Sequence, residues 1–70
     1  MAISNEELEN WFTYHAPNTG QLIRYGLIRQ AAKAFATVIR DNTPSCVDQS
    51  AAIRKIREAV MTANAAIACE

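Results

Sequence analysis

The pattern of apolar and polar positions along the chain predicts three helices. The first begins at Ser4-Asn-Glu-Glu7, whose spacing is that of a capping box, and extends over about residues 4–11. A polar loop follows, in which Pro17 disfavours helix at the residue before it and Asn18 or Thr19 is placed to cap the next helix. The N-terminal segment is therefore a short acidic helix that leads into a longer one.

Two long amphipathic helices are predicted over about residues 19–41 and 46–68, because apolar side chains recur there every three to four positions. The apolar stripe of the first contains Leu27, Ile28, Ala31, Phe35, Val38 and Ile39. That of the second contains Ala52, Ile53, Ile56, Ala59, Val60, Ala63 and Ile67. The link between them is short and has a second capping-box spacing from Ser45 to Asp48. We therefore expect an all-α single domain over residues 1–70, in which a short helix precedes an antiparallel αα-hairpin.

Size and composition favour self-association. Seventy residues lie near the lower limit for an independent core, and many apolar positions of the second long helix are alanine, which buries little area. The chain has only two cysteines and no recognisable metal cluster to stabilise it by other means. We therefore expect a homo-oligomer.

The net charge is zero, but the charges are unevenly distributed. Residues 1–17 carry three glutamates and no lysine or arginine, whereas residues 18–42 carry four basic residues and one acidic residue. A neutral chain is a poor binder of duplex DNA, which normally requires a broad basic surface. The basic edge of the first long helix suits a small anion better.

The sequence offers no chemistry typical of an enzyme. It has no nucleophile–base pair and no glycine-rich phosphate loop, and His15, its one histidine, has no partner at metal-ligand spacing. Cys46 and Cys69 would lie about 35 Å apart along one helix, too far for a disulfide. No apolar run is long enough to cross a membrane, and no signal peptide is apparent. We expect a soluble cytoplasmic protein that is not an enzyme, with no cofactor, metal or membrane contact.

Tyr14 is the first candidate binding residue. It precedes the first long helix in the loop that Pro17 restricts, so its ring is either presented to a ligand or packed against Trp11 or Phe12. Those two aromatic residues are expected to dock the short helix onto the hairpin.

Arg24 is the second candidate, because it projects near the centre of the apolar stripe, where an unpaired charge is costly. It is expected to bind a ligand or to pair with a glutamate of the short helix, in the same or a neighbouring subunit: Glu6, Glu7 or Glu9.

Arg29 and Lys33 follow one edge of the same helix and form either a solvated face or an anion contact, together with His15 near the helix start. Asn64 borders the alanine-rich stripe of the second long helix, where a polar group can set the register between subunits.

Five short motifs, taken in order, resemble those of a group of small phage proteins. They are Tyr14-His-x-Pro17, Gln21-x-x-Arg24-Tyr25, Ile28-Arg29, Thr43-Pro44 and Ala59-Val-Met-x-Ala-Asn-Ala-x-Ile-Ala68. From about residue 12 to residue 68 the chain is similar to the helical-hairpin phage sponges that counter the CBASS and Thoeris defence systems.

The resemblance implies a non-enzymatic protein that binds cyclic nucleotide signals made by the host and withholds them from immune effectors. It implies hexamers of hairpins, with cyclic dinucleotides such as cyclic GMP-AMP bound between paired subunits and, in some members, cyclic trinucleotides at threefold positions. By this resemblance Tyr14 stacks on a base, and Arg29, where the better-known branch has lysine, meets the phosphates. Asn64 stands in place of an arginine that lines the trinucleotide pocket of that branch, which counts against trinucleotide binding.

Two other functions remain open on the residues alone. The chain could be a helical protein–protein interaction module that inhibits a host protein. It could also be a small nucleic-acid binder that uses the basic edge of the first long helix, although the balanced charge counts against this.

Overall fold

The computed structural model describes residues 2–70 and contains three α-helices in that range. They are α1 (Asn5–Phe12), α2 (Thr19–Asn42) and α3 (Val47–Ala68). α2 and α3 pack side by side, so that the start of α2 lies beside the end of α3. No strand occurs among the described residues. The all-α class and the helical hairpin predicted from the pattern are confirmed.

Side-chain caps fix where α1 and α2 begin. The Glu7 N–H donates to Ser4 Oγ at 3.0 Å, and the glutamate side chain accepts in return from the Ser4 N–H, which confirms the predicted capping box. At α2 the cap is Asn18, whose Oδ1 accepts from the Gln21 N–H at 2.8 Å. Gln21 completes a second box, because its side chain accepts from the Asn18 N–H at 3.1 Å.

The start of α3 lacks the cap predicted from Ser45, and that prediction is wrong. The N-cap is Cys46, whose side chain makes no capping hydrogen bond, so Ser45 lies one position too early to reach the first turn. The turn is held instead by Gln49, whose amide donates to the carbonyl oxygens of Arg40 at 3.0 Å and Thr43 at 3.2 Å. A side chain from inside α3 therefore joins the two long helices at this end.

α1 is attached to the hairpin by a hydrogen bond rather than by its aromatic residues. Asn10 Nδ2 donates to the carbonyl oxygen of Cys69 at 3.0 Å. Phe12 is 83% exposed and Trp11 is also exposed, so the prediction that they dock α1 is wrong. Because Asn10 makes its contact beyond the end of α3, the last turn of α1 leaves these aromatic side chains without a surface to cover them.

The apolar stripe of α3 faces α2, largely as predicted. Its members Ala52, Ile53, Ile56, Val60 and Ala63 are half-buried, and Ile67, at 7% exposed, is the one buried side chain among residues 2–70. Ala59 remains exposed. The tightest packing is thus at the end of the hairpin where α2 begins.

The apolar stripe of α2 is only partly covered. Of the predicted stripe, Ile28 and Ile39 are half-buried against α3, whereas Leu27, Ala31, Phe35 and Val38 are exposed. The stripe is wider than the contact that a single alanine-rich helix can make with it. A broad apolar surface is left on the outside of the hairpin.

The chain is more open than a compact domain of the same size. Its Cα radius of gyration is 15.4 Å, whereas a compact 70-residue domain has a radius of about 11 Å. Its accessible area is 5782 Å², roughly 1,400 Å² more than the value expected for a monomeric globular protein of 7.7 kDa. Both measures describe a hairpin with a thin core.

Cys46 and Cys69 are free thiols. None of the helices in residues 2–70 is both long enough and apolar enough to cross a membrane.

Replacing Ile67 by alanine is expected to cost about 2–4 kcal/mol of unfolding free energy, because it removes the most buried side chain of a thin core. Val47→Ala is the matched control, since Val47 is 84% exposed and its truncation should change stability by less than about 0.5 kcal/mol. Urea denaturation followed by circular dichroism measures both values. Equal destabilisation by the two substitutions would contradict this packing.

Candidate functional site

Tyr14 stands out from the loop between α1 and α2. Its side chain is 85% exposed, so the structure presents the ring and does not pack it against Trp11 or Phe12. The loop that carries it is fixed at its far end by the Asn18 cap of α2. An aromatic ring held open to solvent on an anchored loop can stack on a flat ligand.

His15 anchors the same loop from the other side. Its Nε2 lies 2.7 Å from the carbonyl oxygen of Asn10, and because a carbonyl only accepts, Nε2 carries the proton. Asn10 in turn holds the end of α3 through its bond to Cys69. The structure therefore gives His15 a positioning role next to Tyr14, while its predicted contact with a ligand stays a prediction.

Arg24 is paired with Glu70, so the predicted pair with a glutamate of the same chain's α1 is wrong, while a pair with a neighbouring subunit stays a prediction. Its Nη1 donates to Glu70 Oε2 at 3.1 Å, and Nη2 contacts the other carboxylate oxygen. The hairpin brings the two together, because Gln21 Nε2, one turn earlier on α2, donates to the carbonyl oxygen of Ile67 at 3.0 Å. Both charged side chains are about half exposed, so Arg24 does not lie at the buried centre of the stripe.

The pair shifts both ionisations in the direction that favours charge. Hydrogen bonding to Arg24 lowers the pKa of the Glu70 carboxyl, with a smaller contribution from Gln21, and hydrogen bonding to Glu70 raises the pKa of Arg24. Arg24 thus has its charge balanced within the chain. It is less available to an anionic ligand than an unpaired arginine.

Three cations lie along one side of the hairpin, which we call the basic flank: Arg29 and Lys33 of α2 and Arg57 of α3. Lys33 and Arg57 line a common groove of about 300 Å³, and Arg29 is one helical turn before Lys33. None of the three has an acidic partner within 4.0 Å among residues 2–70, where the ion pairs are Arg24–Glu70 and Arg40–Asp41.

Arg29 is exposed and its guanidinium lies back along α2. Its Nη2 is 4.0 Å from the place that a Cβ would occupy on Gly26, three residues nearer the start of the helix. The charge is therefore directed toward the end of the hairpin that carries Tyr14.

Asn64 is half-buried on α3, and its Oδ1 is buried without a hydrogen-bond partner among the described residues. An unpaired buried amide oxygen costs free energy unless a donor reaches it. The structure does not bring Asn64 into the groove between Lys33 and Arg57.

A second, larger groove of about 770 Å³ opens on the opposite face of the hairpin and is almost entirely apolar. Its walls are Phe35 and Ile39 of α2 and Ala59 and Ala63 of α3, with Lys55 as its one charged side chain. The two grooves share the floor residues Ala32, Ile56 and Val60. The hairpin thus separates an apolar face from a basic one.

Sequence reasoning missed three residues of this arrangement. Glu70 and Asn10 act on partners 46 and 59 positions away, so neither shows a local signal. Arg57 was overlooked because the second half of the chain carries equal numbers of basic and acidic residues. A helical projection combined with the register of the hairpin would have placed it beside Lys33. No group of three or more His, Cys, Asp or Glu side chains within residues 2–70 could hold a metal ion.

Comparison with known proteins gives one match. A family model described as "Acb2/Tad1, hairpin domain" matches residues 4–68, which is nearly the whole chain. No curated protein and no solved structure matches.

The pKa of Glu70 should lie below its ordinary value of 4.5, because Arg24 stabilises the ionised carboxylate. An NMR titration of the Glu70 side-chain carboxyl carbon measures this directly. Arg24→Gln should return the pKa toward 4.5, and Arg54→Gln, which removes an exposed arginine that makes no ion pair here, should leave it lowered.

The pKa of Glu70 is lower in the folded chain than in the unfolded chain. The Arg24–Glu70 pair therefore stabilises the fold at neutral pH, and this stabilisation is lost as the pH falls below 4.5. A Glu70 pKa that does not respond to Arg24→Gln would contradict the pairing.

Proposed function

The chain belongs to the Acb2/Tad1 hairpin family, the phage sponges that counter the CBASS and Thoeris defence systems, and from this we propose that it sequesters a cyclic dinucleotide such as cyclic GMP-AMP. At the level of the family, the function is binding of cyclic nucleotide immune signals. We propose further that the ligand is a cyclic dinucleotide, that Tyr14 and Arg29 hold it, and that it is bound without being cleaved. Its place of action is the host cytoplasm, where such signals are made.

The observation that carries the proposal is the exposed ring of Tyr14 together with the unpaired charge of Arg29. A base stacked on an aromatic ring contributes about 1–3 kcal/mol. A charge-assisted hydrogen bond to a phosphate contributes roughly 1.5–3 kcal/mol. Two stacked bases and two phosphate contacts together approach the roughly 8 kcal/mol that micromolar affinity requires, and the upper ends of these contributions allow tighter binding.

The proposed site lies between two copies of the chain. A cyclic dinucleotide has two bases, two phosphates and approximate twofold symmetry, so a twofold pair of subunits can offer each base a Tyr14 and each phosphate an Arg29. Tyr14 and Arg29 share no hydrogen bond within the described chain, and a second copy can bring the ring of one subunit to the guanidinium of the other.

The larger groove supports this self-association. It is apolar, and Phe35, one of its walls, is 58% exposed in the single chain. The excess accessible area of roughly 1,400 Å² exceeds the about 800 Å² that each partner buries in a stable interface. We propose that this face is covered by further copies of the chain, which assemble as a hexamer.

The ligand is held intact in this proposal. Tyr14 acts by stacking and Arg29 by charge, and neither serves as the general base that hydrolysis of a phosphodiester requires. His15, the nearest titratable group to Tyr14 in sequence, has its Nε2 proton committed to Asn10. Asn64, which is uncharged, gives no counterion for a third phosphate, so the proposal is for dinucleotides.

Isothermal titration calorimetry with a panel of cyclic di- and trinucleotides tests the proposal. Tyr14→Ala should weaken cyclic GMP-AMP binding tenfold or more, because it removes about 1–3 kcal/mol per stacked base. Phe12→Ala is its control, since Phe12 is equally exposed and two positions away. Arg29→Gln should weaken binding by a similar factor, and Arg54→Gln should not.

No heat from any cyclic nucleotide in the panel would reject the sponge proposal. It would favour a helical module that docks on a host protein through the exposed apolar groove.

Sequestration also predicts that the bound ligand is recovered unchanged. After incubation with cyclic GMP-AMP, heat denaturation of the complex should release the intact nucleotide, which liquid chromatography with mass detection quantifies. A parallel sample without protein controls for spontaneous hydrolysis. Accumulation of linear nucleotide in the protein sample alone would show cleavage.

A further inference from the structure

The smaller groove has the composition of a site for a phosphate ester. Its floor is apolar and includes Ala36, Ile53 and Met61, while Lys33 and Arg57 stand on its two walls. No carboxylate lines it. Its volume of about 300 Å³ lies at the lower end of the range for small-molecule sites, which suits one part of a ligand rather than the whole.

The two cations come from different helices, so the hairpin itself sets their arrangement. Lys33 lies near the middle of α2 and Arg57 near the middle of α3, where the helices run side by side. Two like charges on one narrow groove repel each other, and no acidic side chain among residues 2–70 forms an ion pair with either. This repulsion is relieved when an anion binds between them.

Contiguity, rather than the lack of an acidic partner, distinguishes the basic flank. Arg24 is paired with Glu70 and Arg40 with Asp41, whereas Arg54 and Lys55, which lie outside the flank, form no ion pair among residues 2–70 either. The three cations that remain on the basic flank are contiguous, because Arg29 precedes Lys33 by one turn and Lys33 shares its groove with Arg57.

We infer that Lys33 and Arg57 form a second phosphate contact, which binds a phosphodiester of the cyclic dinucleotide beside Arg29. This inference rests on the proposed function and adds Arg57, from α3, to the site. Lys33 supplies a point charge, and the planar guanidinium of Arg57 donates two parallel hydrogen bonds to phosphate oxygens. The apolar floor accommodates the uncharged sugar edge beside that phosphate.

Calorimetric titration with cyclic GMP-AMP at two salt concentrations tests the inference. Arg57→Gln and Lys33→Gln should each weaken binding by about tenfold or more and should make the affinity less sensitive to salt. Arg57→Lys should weaken binding less than Arg57→Gln, because it keeps the charge but loses the paired hydrogen bonds.

Arg54→Gln is the matched control, because it removes an exposed arginine that lies outside both grooves. It should keep wild-type affinity and salt dependence. Light scattering should give Arg57→Gln the same molar mass as the wild type.

The possible results distinguish failure of the Lys33–Arg57 contact from failure of the proposed function. Wild-type binding that is unchanged by Arg57→Gln and Lys33→Gln overturns the inference and leaves the proposed function standing. A loss of binding that accompanies a lower molar mass also overturns it, since the groove would then be a contact between subunits. Absence of binding by the wild type rejects the proposed function itself.

Discussion

Close packing of α3 against only one edge of the apolar stripe on α2 is the constraint on which the rest of this structure depends. Alanine lets the two helices approach closely, but it buries little area, so a single hairpin buries one side chain, Ile67, among residues 2–70. The larger residues Leu27, Phe35 and Val38 remain outside the contact. Polar contacts also join the helices at both ends, where Gln49 spans the turn and Gln21 spans the open end.

The packing of α2 on α3 also gives the hairpin two chemically different faces. The floor shared by both grooves separates an apolar face, suited to further copies of the chain, from the basic flank of Arg29, Lys33 and Arg57. The loop that carries Tyr14 is anchored by His15 and by the Asn18 cap, yet it lies at the end of the hairpin, away from the groove between Lys33 and Arg57. We propose that ligand binding and assembly are linked, because a second copy would supply the part of the site that one chain lacks.

Local features of the fold were predictable from the sequence, and features that depend on register were not. The capping box at Ser4 was predictable from the spacing of two residues one turn apart, whereas the same spacing from Ser45 to Asp48 forms no cap, because α3 begins one residue later. The partner of Arg24 is 46 positions away and depends on how far α3 extends beside α2, which periodicity does not specify. The role of Arg57 was equally unpredictable, because it depends on the position of Lys33 on the other helix, across the groove. The family was identifiable from the order of short motifs, whereas the ligand-binding roles of Tyr14 and Arg29 stay predictions.

The stoichiometry of cyclic GMP-AMP binding tests most directly whether the site forms between copies of the chain. Calorimetry with a protein concentration known from quantitative amino-acid analysis gives the number of ligands bound per chain. A twofold site predicts one ligand for every two chains. One ligand per chain, bound to a monomer of 7.7 kDa, would contradict it.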